Sequence, residues 1–493
     1  MQRKLLAVLQ RVWPDCNAIE GLRRLSGGAS KFTWSLDARC GDLARALILR
    51  QSQPGVVSQS GMSIPLLDEA AVIRTAAAQG VPVPVIEAVL DADDGLGQAY
   101  LMARVEGETL GKRIVHDARF ERARARMAAQ CGALLARIHA APLDGLPGSL
   151  PRLSAQTMLD RIEATHVATG RPRPIYALAF RWLREHLPLG RPMRLVHGDF
   201  RTGNLMVDDD GVAAVLDWEL ACIADPMIDL GWLCVTAWRY GAVDRPVGGF
   251  GQRDALFRAY EAAGGEPVDP AVVHFWEVFG SLRWGTMCED LCSRDGADDH
   301  PTGRPSLERV VIGRRASEAE IDLMRLLARA PTRADLAASV VGTGVRPGGP
   351  DAAHQAAGTH AAEAPDRFGV DRLLHAVTAF VAEDAVPGLS GRAGFEARVA
   401  RNALEIIRRE CRLGRAAEQA EREGLRRLLD TEGSMSEMRE ALCRRVAAGE
   451  VALDDEALVS HLWIGALNTL AIDQPGYGGF RHVLQQLGAE SPT

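Results

Sequence analysis

The sequence predicts an α+β protein with a strand-rich beginning, a long helical middle and a separate all-helical C-terminal region. Between Leu22 and Arg104, apolar and polar residues mostly alternate, which is the period of half-buried strands. Beyond Gly107, apolar residues recur every three or four positions, as they do on the buried face of a helix. Residues 345–365 are rich in Gly, Pro, Ala and His without apolar periodicity, which is typical of a linker.

The first region contains one helix among its predicted strands. The Gly27-Gly28 pair feeds an alternating strand that begins at Lys31, and a buried strand that ends at Arg50 follows. Apolar residues at positions 66, 70, 73 and 77 predict a helix over Leu66–Ala78 that carries Glu69. Two further strands are expected around residues 91–97, and the second of them covers Gln98–Arg104.

Helical periodicity continues to the end of the chain. A core-facing stripe ends near His139, and further helices are expected between residues 154 and 187. Past the linker, five short helices are expected from apolar runs at 373–381, 395–406, 425–429, 442–446 and 459–470. We therefore expect four parts, which cover residues 1–106, 107–340, 341–365 (the linker) and 366–485 (a helical bundle).

Composition excludes several classes of protein. The chain has 493 residues, 47% of them apolar, and a formal net charge of -7 with no basic stripe, so we expect no nucleic acid partner. Only three lysines occur, and none lies in a Walker phosphate loop. The nine cysteines contain no Cys-x-x-Cys pair, which is typical of reduced thiols. No apolar run approaches the roughly 20 residues of a membrane span, so we expect a cytoplasmic protein without a membrane partner.

The most informative segment is VHGDFRTGNLMVDDDGVAAVLDWE, residues 196–219. Its Asp210-Gly211 pair, between two apolar runs, predicts a hairpin turn. With these two residues at the centre of the turn, the register places Asn204 opposite Asp217 at the open end of the ribbon. An amide oxygen and a carboxylate are suitable ligands for Mg²⁺. Asp199, just before the ribbon, could accept a proton from an alcohol.

On these residues the chain resembles the kinase-like phosphotransferases, which include aminoglycoside, choline and homoserine kinases. The resemblance implies a bilobal protein-kinase-like fold, with a small β-rich N-lobe and a large helical C-lobe, that binds ATP and Mg²⁺. It implies that Asp199 is the catalytic base, that Asn204 and Asp217 hold the metal, and that His197 braces the loop. Asp229 would accept hydrogen bonds from the loop backbone. Gly198 stands where protein kinases have Arg.

The resemblance also implies a set of nucleotide contacts in the N-lobe. Gly27, Gly28 and Ser30 would cover the triphosphate. Arg50 would bind the α and β phosphates in place of the lysine of protein kinases, with Glu69 as its partner. The alternative for Arg50 and Glu69 is that both are solvated surface residues. The remaining contacts are backbone groups near the hinge between the lobes, where Met102 and Arg104 would meet adenine. Whether Lys31 touches phosphate stays open.

Within this group the chain resembles the kinase-like domain that occurs fused to, or encoded beside, acyl-CoA dehydrogenases. The residues behind this are 196–204, Leu49-Arg50 and the segment VIGRR at 311–315, and the resemblance covers roughly residues 20–325. The bundle resembles a small uncharacterised domain attached to such chains. The resemblance implies phosphorylation of a hydroxyl on an acyl chain, for example a 4-hydroxyacyl group on CoA, with an acyl-CoA dehydrogenase as a possible partner. The bundle would serve docking or oligomerisation.

Two alternatives remain open. An aminoglycoside or amino-alcohol kinase must neutralise a cationic acceptor, and an acidic cluster could do so, although arginines interleave with it. The cluster consists of Glu289, Asp290, Asp295, Asp298 and Asp299. A non-catalytic nucleotide-binding scaffold is the second alternative. Loss of the base or of a metal ligand would be typical of such a scaffold, whereas this chain keeps Asp199, Asn204 and Asp217.

Overall fold

The computed structural model of the chain describes residues 1–25, 31–52, 63–90, 92–293, 306–333, 336, 340–342 and 369–488. The chain forms two compact units, one of Met1–Ala155 with Pro188–Glu277 and one of Gln156–Leu187 with Val278–Thr493. Most of the predicted linker lies outside the described residues, and the four-part division stays a prediction. Within the described part of the chain, no helix has the length and apolar character needed to cross a membrane.

The first unit begins with a helix and a five-stranded antiparallel sheet in the order β1-β2-β3-β5-β4. The elements are α1 (Gln2–Val12), β1 (Cys16–Arg24), β2 (Lys31–Cys40), β3 (Leu43–Ser52), α2 (Leu66–Ala78), β4 (Ile86–Leu90) and β5 (Ala99–Ala103). Leu5, Val8 and Leu9 of α1 share one face and join the core of the sheet. The bounds of α2 are those that its periodicity predicts. By contrast, α1 and most of β1 precede the region from which strands were expected.

Helices and two short strand pairs complete this unit. Its further elements are α3 (Gly111–His116), α4 (Glu121–His139), β6 (Arg194–Val196), β7 (Leu205–Asp208), β8 (Gly211–Val215), β9 (Cys222–Ala224), α7 (Met227–Cys234) and α8 (Arg253–Ala262). Strand β6 pairs with β9, and Val196 lies opposite Cys222. The segment between Val196 and Cys222 therefore begins and ends at neighbouring positions. This segment contains the β7–β8 hairpin.

The turn of this hairpin is one residue earlier than predicted. Asp208 pairs with Gly211, so Asp209 and Asp210 are the central residues of the turn. The carboxylate of Asp208 accepts hydrogen bonds from the N–H groups of Asp210 (2.8 Å) and Gly211 (3.1 Å). This local side-chain bond fixes the turn and overrides the preference of the Asp-Gly pair.

The predicted register of the hairpin is consequently wrong by one residue at its open end. Leu205 pairs with Val215, after a bulge in the ladder. Asn204 therefore lies beside Leu216, whose N–H donates to the Asn204 carbonyl (2.8 Å), and Asp217 comes one residue later. The two predicted metal ligands remain near the same end of the ribbon, but they are not a cross-strand pair.

The described secondary structure of the second unit is helical. Helix α9 (Pro270–Ser293) enters this unit at Val278. The other helices of seven or more residues are α5 (Ala155–Ala168), α6 (Pro174–Glu185), α10 (Leu307–Gly313), α11 (Ala316–Leu327), α12 (Val370–Phe380), α13 (Gly391–Leu429), α14 (Met435–Ala447), α15 (Glu456–Asp473) and α16 (Gly478–Gln486). Helix α15 packs on α13 and α11, and α14 packs on α6. Two of the predicted short helices are one 39-residue helix, α13, because Ala, Arg and Glu continue the helix between their apolar runs.

Candidate active site

The loop that follows β6 is anchored by a buried aspartate. Asp229, on α7, accepts hydrogen bonds from the backbone N–H groups of His197 (2.8 Å) and Gly198 (2.9 Å). His139 lies 3.1 Å from the same carboxylate. Burial alone would raise the pKa of Asp229, but these hydrogen bonds and nearby histidines outweigh it and lower the pKa. The expectation that Asp229 supports the loop backbone is confirmed.

The backbone at Gly198 has no room for a side chain. Its φ is +76°, a conformation that residues with a Cβ rarely adopt. A Cβ at this position would also lie 2.2 Å from the carbonyl oxygen of Leu220. An arginine like that of protein kinases cannot occupy this backbone, so the difference from protein kinases is steric.

His197 joins the loop to the end of β8. Its Nδ1 accepts a hydrogen bond from the N–H of Asp199 (3.2 Å), so Nε2 carries the proton and donates to the carbonyl of Leu216 (2.9 Å). The side chain is fully buried against Trp218. These contacts hold the backbone of residue 199 beside that of residue 216.

Three donors orient the carboxylate of Asp199. Trp232 Nε1 (2.8 Å) and Arg201 Nε (3.1 Å) donate to Oδ1, and Asn204 Nδ2 donates to Oδ2 (2.6 Å). The side chain keeps 14% of its surface exposed. Each carboxylate oxygen has two lone-pair sites, so Asp199 can still accept a proton from a bound hydroxyl.

Asn204 and Asp217 form a donor set that suits a hard divalent cation. Because the amide nitrogen of Asn204 faces Asp199, its Oδ1 is the atom left for a cation. Asp217 has a φ of +62° and a side chain that is one-third exposed. One amide oxygen and one carboxylate fit Mg²⁺, which also takes water and phosphate oxygens as ligands.

A cluster of paired charges lies beside Asp217. Arg50 Nη2 is 3.2 Å from Asp217 Oδ1 and 3.3 Å from Glu69 Oε1. Lys31 Nζ is 2.6 Å from Glu69 Oε2 and 3.2 Å from Glu219 Oε2. The side chains of Glu69 and Arg50 are only 1% and 15% exposed, so neither is a solvated surface residue.

Secondary structure brings this cluster together. Arg50 on β3 lies opposite Tyr100 on β5, and the Tyr100 hydroxyl donates to Glu69 (3.0 Å). Glu69 lies on the buried face of α2. Burial would lower the pKa of the Arg50 guanidinium, but Glu69 and the neighbouring acidic groups raise it. Burial and Glu69 raise the pKa of Tyr100 well above its usual range. Arg50 thus stays charged and Tyr100 stays a neutral hydrogen-bond donor.

The remaining residues that were predicted to contact the nucleotide lie either outside the described residues or within the sheet. Gly27, Gly28 and Ser30 lie outside the described residues. Met102 pairs with strands on both sides within the sheet. The N–H of Arg104 donates to the carbonyl of Ala46 (2.9 Å), and its guanidinium contacts Ser35 and Asp37 on β2. That N–H is therefore already used in the sheet, and the adenine contact of this region stays a prediction.

Sequence reasoning missed several residues of the site. Glu219 pairs with Lys31, and its position two residues after Asp217 was the only local signal. Arg201 lay inside the motif without an assigned role. Trp232 and Tyr100 reach the site from other elements, and nothing near them in the sequence indicates these contacts.

Two family models match the chain. One, described as "Phosphotransferase enzyme family", covers residues 21–266, and a domain of unknown function (DUF6285) covers residues 387–477. Mouse acyl-CoA dehydrogenase family member 10 is 29% identical over 201 residues, which are 39% of this chain and 18% of that protein. The chain therefore matches less than a fifth of the length of this relative.

Solved structures give the fold. A crystal structure of a Ralstonia eutropha protein assigned to the aminoglycoside phosphotransferases covers 66% of this chain and 98% of its own, with a TM-score of 0.51 and 21% identity. Choline kinase from Streptococcus pneumoniae covers 64% of this chain and 98% of its own, with a TM-score of 0.40 and 15% identity. The fold is kinase-like, with a β-sheet region followed by helices. Through residues 21–266, this chain belongs to the phosphotransferase enzyme family.

Proposed function

We propose that the protein is an ATP-dependent kinase that transfers the γ-phosphoryl group to a hydroxyl of an acyl chain, for example a 4-hydroxyacyl group carried on CoA. One observation carries the kinase assignment: the Asp199 carboxylate is held by three donors beside Asn204, at the same end of the hairpin as Asp217 and Arg50. Positioning and charge stabilisation are most of what phosphoryl transfer requires of a protein.

Each residue has a role in this proposal. Asp199 would accept the proton of the acceptor hydroxyl, with Trp232 and Arg201 fixing its orientation. Asn204 Oδ1 and Asp217 would hold Mg²⁺, and Arg50 would bind phosphate oxygens while Glu69 keeps it in place. When bound, ATP would supply the phosphoryl group and Mg²⁺ would neutralise its developing charge.

The acyl acceptor rests on two supports. The matched residues of the mouse relative belong to a protein named for acyl-CoA dehydrogenation. In addition, the acidic cluster that would favour a cationic acceptor is partly engaged elsewhere. Glu289 is fully buried and pairs with Arg173 and His166, while Asp295, Asp298 and Asp299 lie outside the described residues. A partnership with an acyl-CoA dehydrogenase would place the two reactions in sequence on one acyl chain.

A panel of acceptors tests the substrate. Purified protein with Mg-ATP is offered 4-hydroxy acids, their CoA esters, kanamycin and choline, and phosphorylated products are measured by mass spectrometry. We expect turnover on the hydroxyacyl compounds. Turnover on kanamycin or choline alone would replace the acyl proposal with an aminoglycoside or amino-alcohol kinase.

The Asp199→Asn variant tests the kinase assignment against a nucleotide-binding scaffold. Removing a general base typically costs about 10² to 10⁴ in rate, so we expect kcat to fall by roughly that factor while ATP still binds. Thermal shift with ATP reports the binding, and a product assay reports the rate. A wild-type protein that binds ATP but phosphorylates no member of the panel would favour the scaffold.

A further inference from the structure

The second unit contains a polar cleft of about 960 Å³. Helices α11, α13, α14 and α15 and the start of α6 contribute its walls. On α15, the residues His461, Gly465, Asn468 and Ile472 line it, and their spacing places them on one face of the helix. The matched domain of unknown function covers most of these positions, and the phosphotransfer proposal uses none of them.

Two uncharged polar side chains in the cleft are buried without full hydrogen bonding. Asn468 is 3% exposed, and its Oδ1 accepts from the N–H of Val341 (2.9 Å), but its Nδ2 has no partner among the described residues. His461 is 8% exposed, its Nδ1 packs against Gly424 of α13, and no hydrogen bond joins its ring to another described residue. Burial lowers the pKa of His461 to about 4, so its ring is neutral near pH 7.

The space between these two side chains is open beside Gly465. They are seven residues apart on α15, which is about 10 Å along a helix axis. Gly465 lies between them, and a Cβ built there would meet nothing within 4 Å. Gly414 and Ala417 of α13 line the cleft as well. Small residues on two helices leave a trough rather than a round pocket.

The inner charges of the cleft already balance one another. Arg439 donates two hydrogen bonds to Glu421 (2.6 Å each), and Arg173 donates to Glu320 (2.9 Å). Arg314 lies 2.5 Å from Asp473. An ionic ligand bound at these inner residues would have to displace one of the pairs, whereas an uncharged ligand would not. Among the uncharged side chains of the cleft, Asn468 Nδ2 and the ring of His461 are left to bond to a ligand.

We propose that this cleft binds an extended, uncharged chain with amide groups, whose carbonyl oxygen accepts from Asn468 Nδ2 and whose second polar group, about 10 Å away, bonds to His461. Amides provide both a donor and an acceptor, which matches an Asn and a neutral His. The pantetheine arm of a thioester and an extended peptide backbone share this chemistry. The site is independent of the proposed phosphotransfer.

Isothermal titration of the full chain tests the site with three probes: pantetheine, acetyl-triglycine-amide, and sorbitol as a polyol without amides. We expect one of the amide probes to bind and sorbitol not to bind. The amide probe that binds shows whether the natural ligand is a pantetheine arm or an extended peptide. Binding of sorbitol alone, or of no probe, overturns the proposal.

Variants locate the binding. Gly465→Met would fill the trough and is expected to abolish binding, whereas Ala416→Met, on the exposed side of α13, should leave it unchanged. Asn468→Leu removes one hydrogen bond and should weaken binding about fivefold to tenfold. Circular dichroism and the melting temperature without probe verify folding. Should Gly465→Met fail to fold, Asn468→Leu decides. Unchanged affinity in a folded Gly465→Met or Asn468→Leu variant overturns the assignment.

Discussion

The two units bury polar groups in opposite ways. In the first unit, Lys31 and Arg50 share the carboxylates of Glu69 and Glu219, and Arg50 also contacts Asp217. In the cleft of the second unit the inner charges form ion pairs, and the neutral side chains of Asn468 and His461 are available to bond to a ligand. A cluster of shared charges can exchange partners with a phosphate and a cation, while a balanced cleft can accept a neutral ligand without breaking an ion pair. The kind of group left unsatisfied thus indicates the kind of ligand.

The largest expected effect comes from removing the fully buried one of the two carboxylates that contact both Lys31 and Arg50, which is that of Glu69. Glu69→Gln leaves Lys31 and Arg50 without their buried counter-charge, so we expect a loss of roughly 3 to 5 kcal/mol in unfolding free energy. Phosphotransfer should fall as well, because Arg50 loses its orientation. Urea denaturation measures the first effect. Glu219→Gln, whose side chain is 24% exposed, is the control and should cost less than about 1 kcal/mol. Equal losses in both variants would contradict a special role for Glu69.

Asp473 and His461, which both line the cleft, should contribute to the free energy of unfolding with opposite pH dependences. Burial raises the pKa of Asp473 to about 6, so its contribution to stability is present below the unfolded pKa of about 3.9 and is lost as pH rises through 6. Burial lowers the pKa of His461 to about 4, so its contribution grows as pH rises from about 4 to 6.5. Each effect amounts to about 3 kcal/mol.

The charged groups that face these two residues modulate the effects. They are Glu421, Arg427 and Arg439 at His461, and Arg314, Glu410 and Arg173 at Asp473. Urea unfolding at pH 4.5 and 6.5 should show stability rising more steeply with pH in Asp473→Asn than in the wild type, and less steeply in His461→Phe. Parallel pH profiles in all three proteins would contradict the assigned shifts.

Replacing Asp229 should lower the free energy of unfolding by a smaller amount, and the loss should depend on pH over a different range. Asp229→Asn replaces a carboxylate that accepts two backbone hydrogen bonds, at an expected cost of about 2 kcal/mol near pH 7. Because the folded pKa is lowered, the contribution is present above about pH 3.9 and is lost as pH falls through the folded pKa. The difference in stability between the variant and the wild type should therefore shrink below about pH 4. If the difference in stability stayed the same at all pH values, the charge of Asp229 would not be the cause of the stabilisation.

The smallest expected effect concerns Lys31. We expect Lys31 to share phosphate binding with Arg50, so Lys31→Met should raise KM for ATP about tenfold with a smaller change in kcat. Lys31→Arg keeps the charge and should recover most of the affinity. Lys112→Met, an exposed lysine on α3, is the matched control. Initial rates at varied ATP measure the effect, and an unchanged KM in Lys31→Met would leave phosphate binding to Arg50.

Features that depend on local sequence patterns were predicted better than contacts between distant residues. The bounds of α2 followed from four apolar positions and the proline-rich segment after it. The anchoring by Asp229 followed from the family motif. The hairpin register did not, because the Asp208 side chain selects a turn that Asp-Gly statistics do not foresee. The pairing of Lys31 with Glu69 joins residues 38 positions apart and leaves no periodic signal.

The left-handed backbone of Asp217 restricts which residues can replace it. Asp, Asn and Gly enter this conformation at little cost, whereas a β-branched side chain would be strained there. Descendants of this chain that lose catalysis yet keep their architecture should therefore carry Asn or Gly at position 217. The backbone thus limits the evolutionary routes from an enzyme to an inactive homologue.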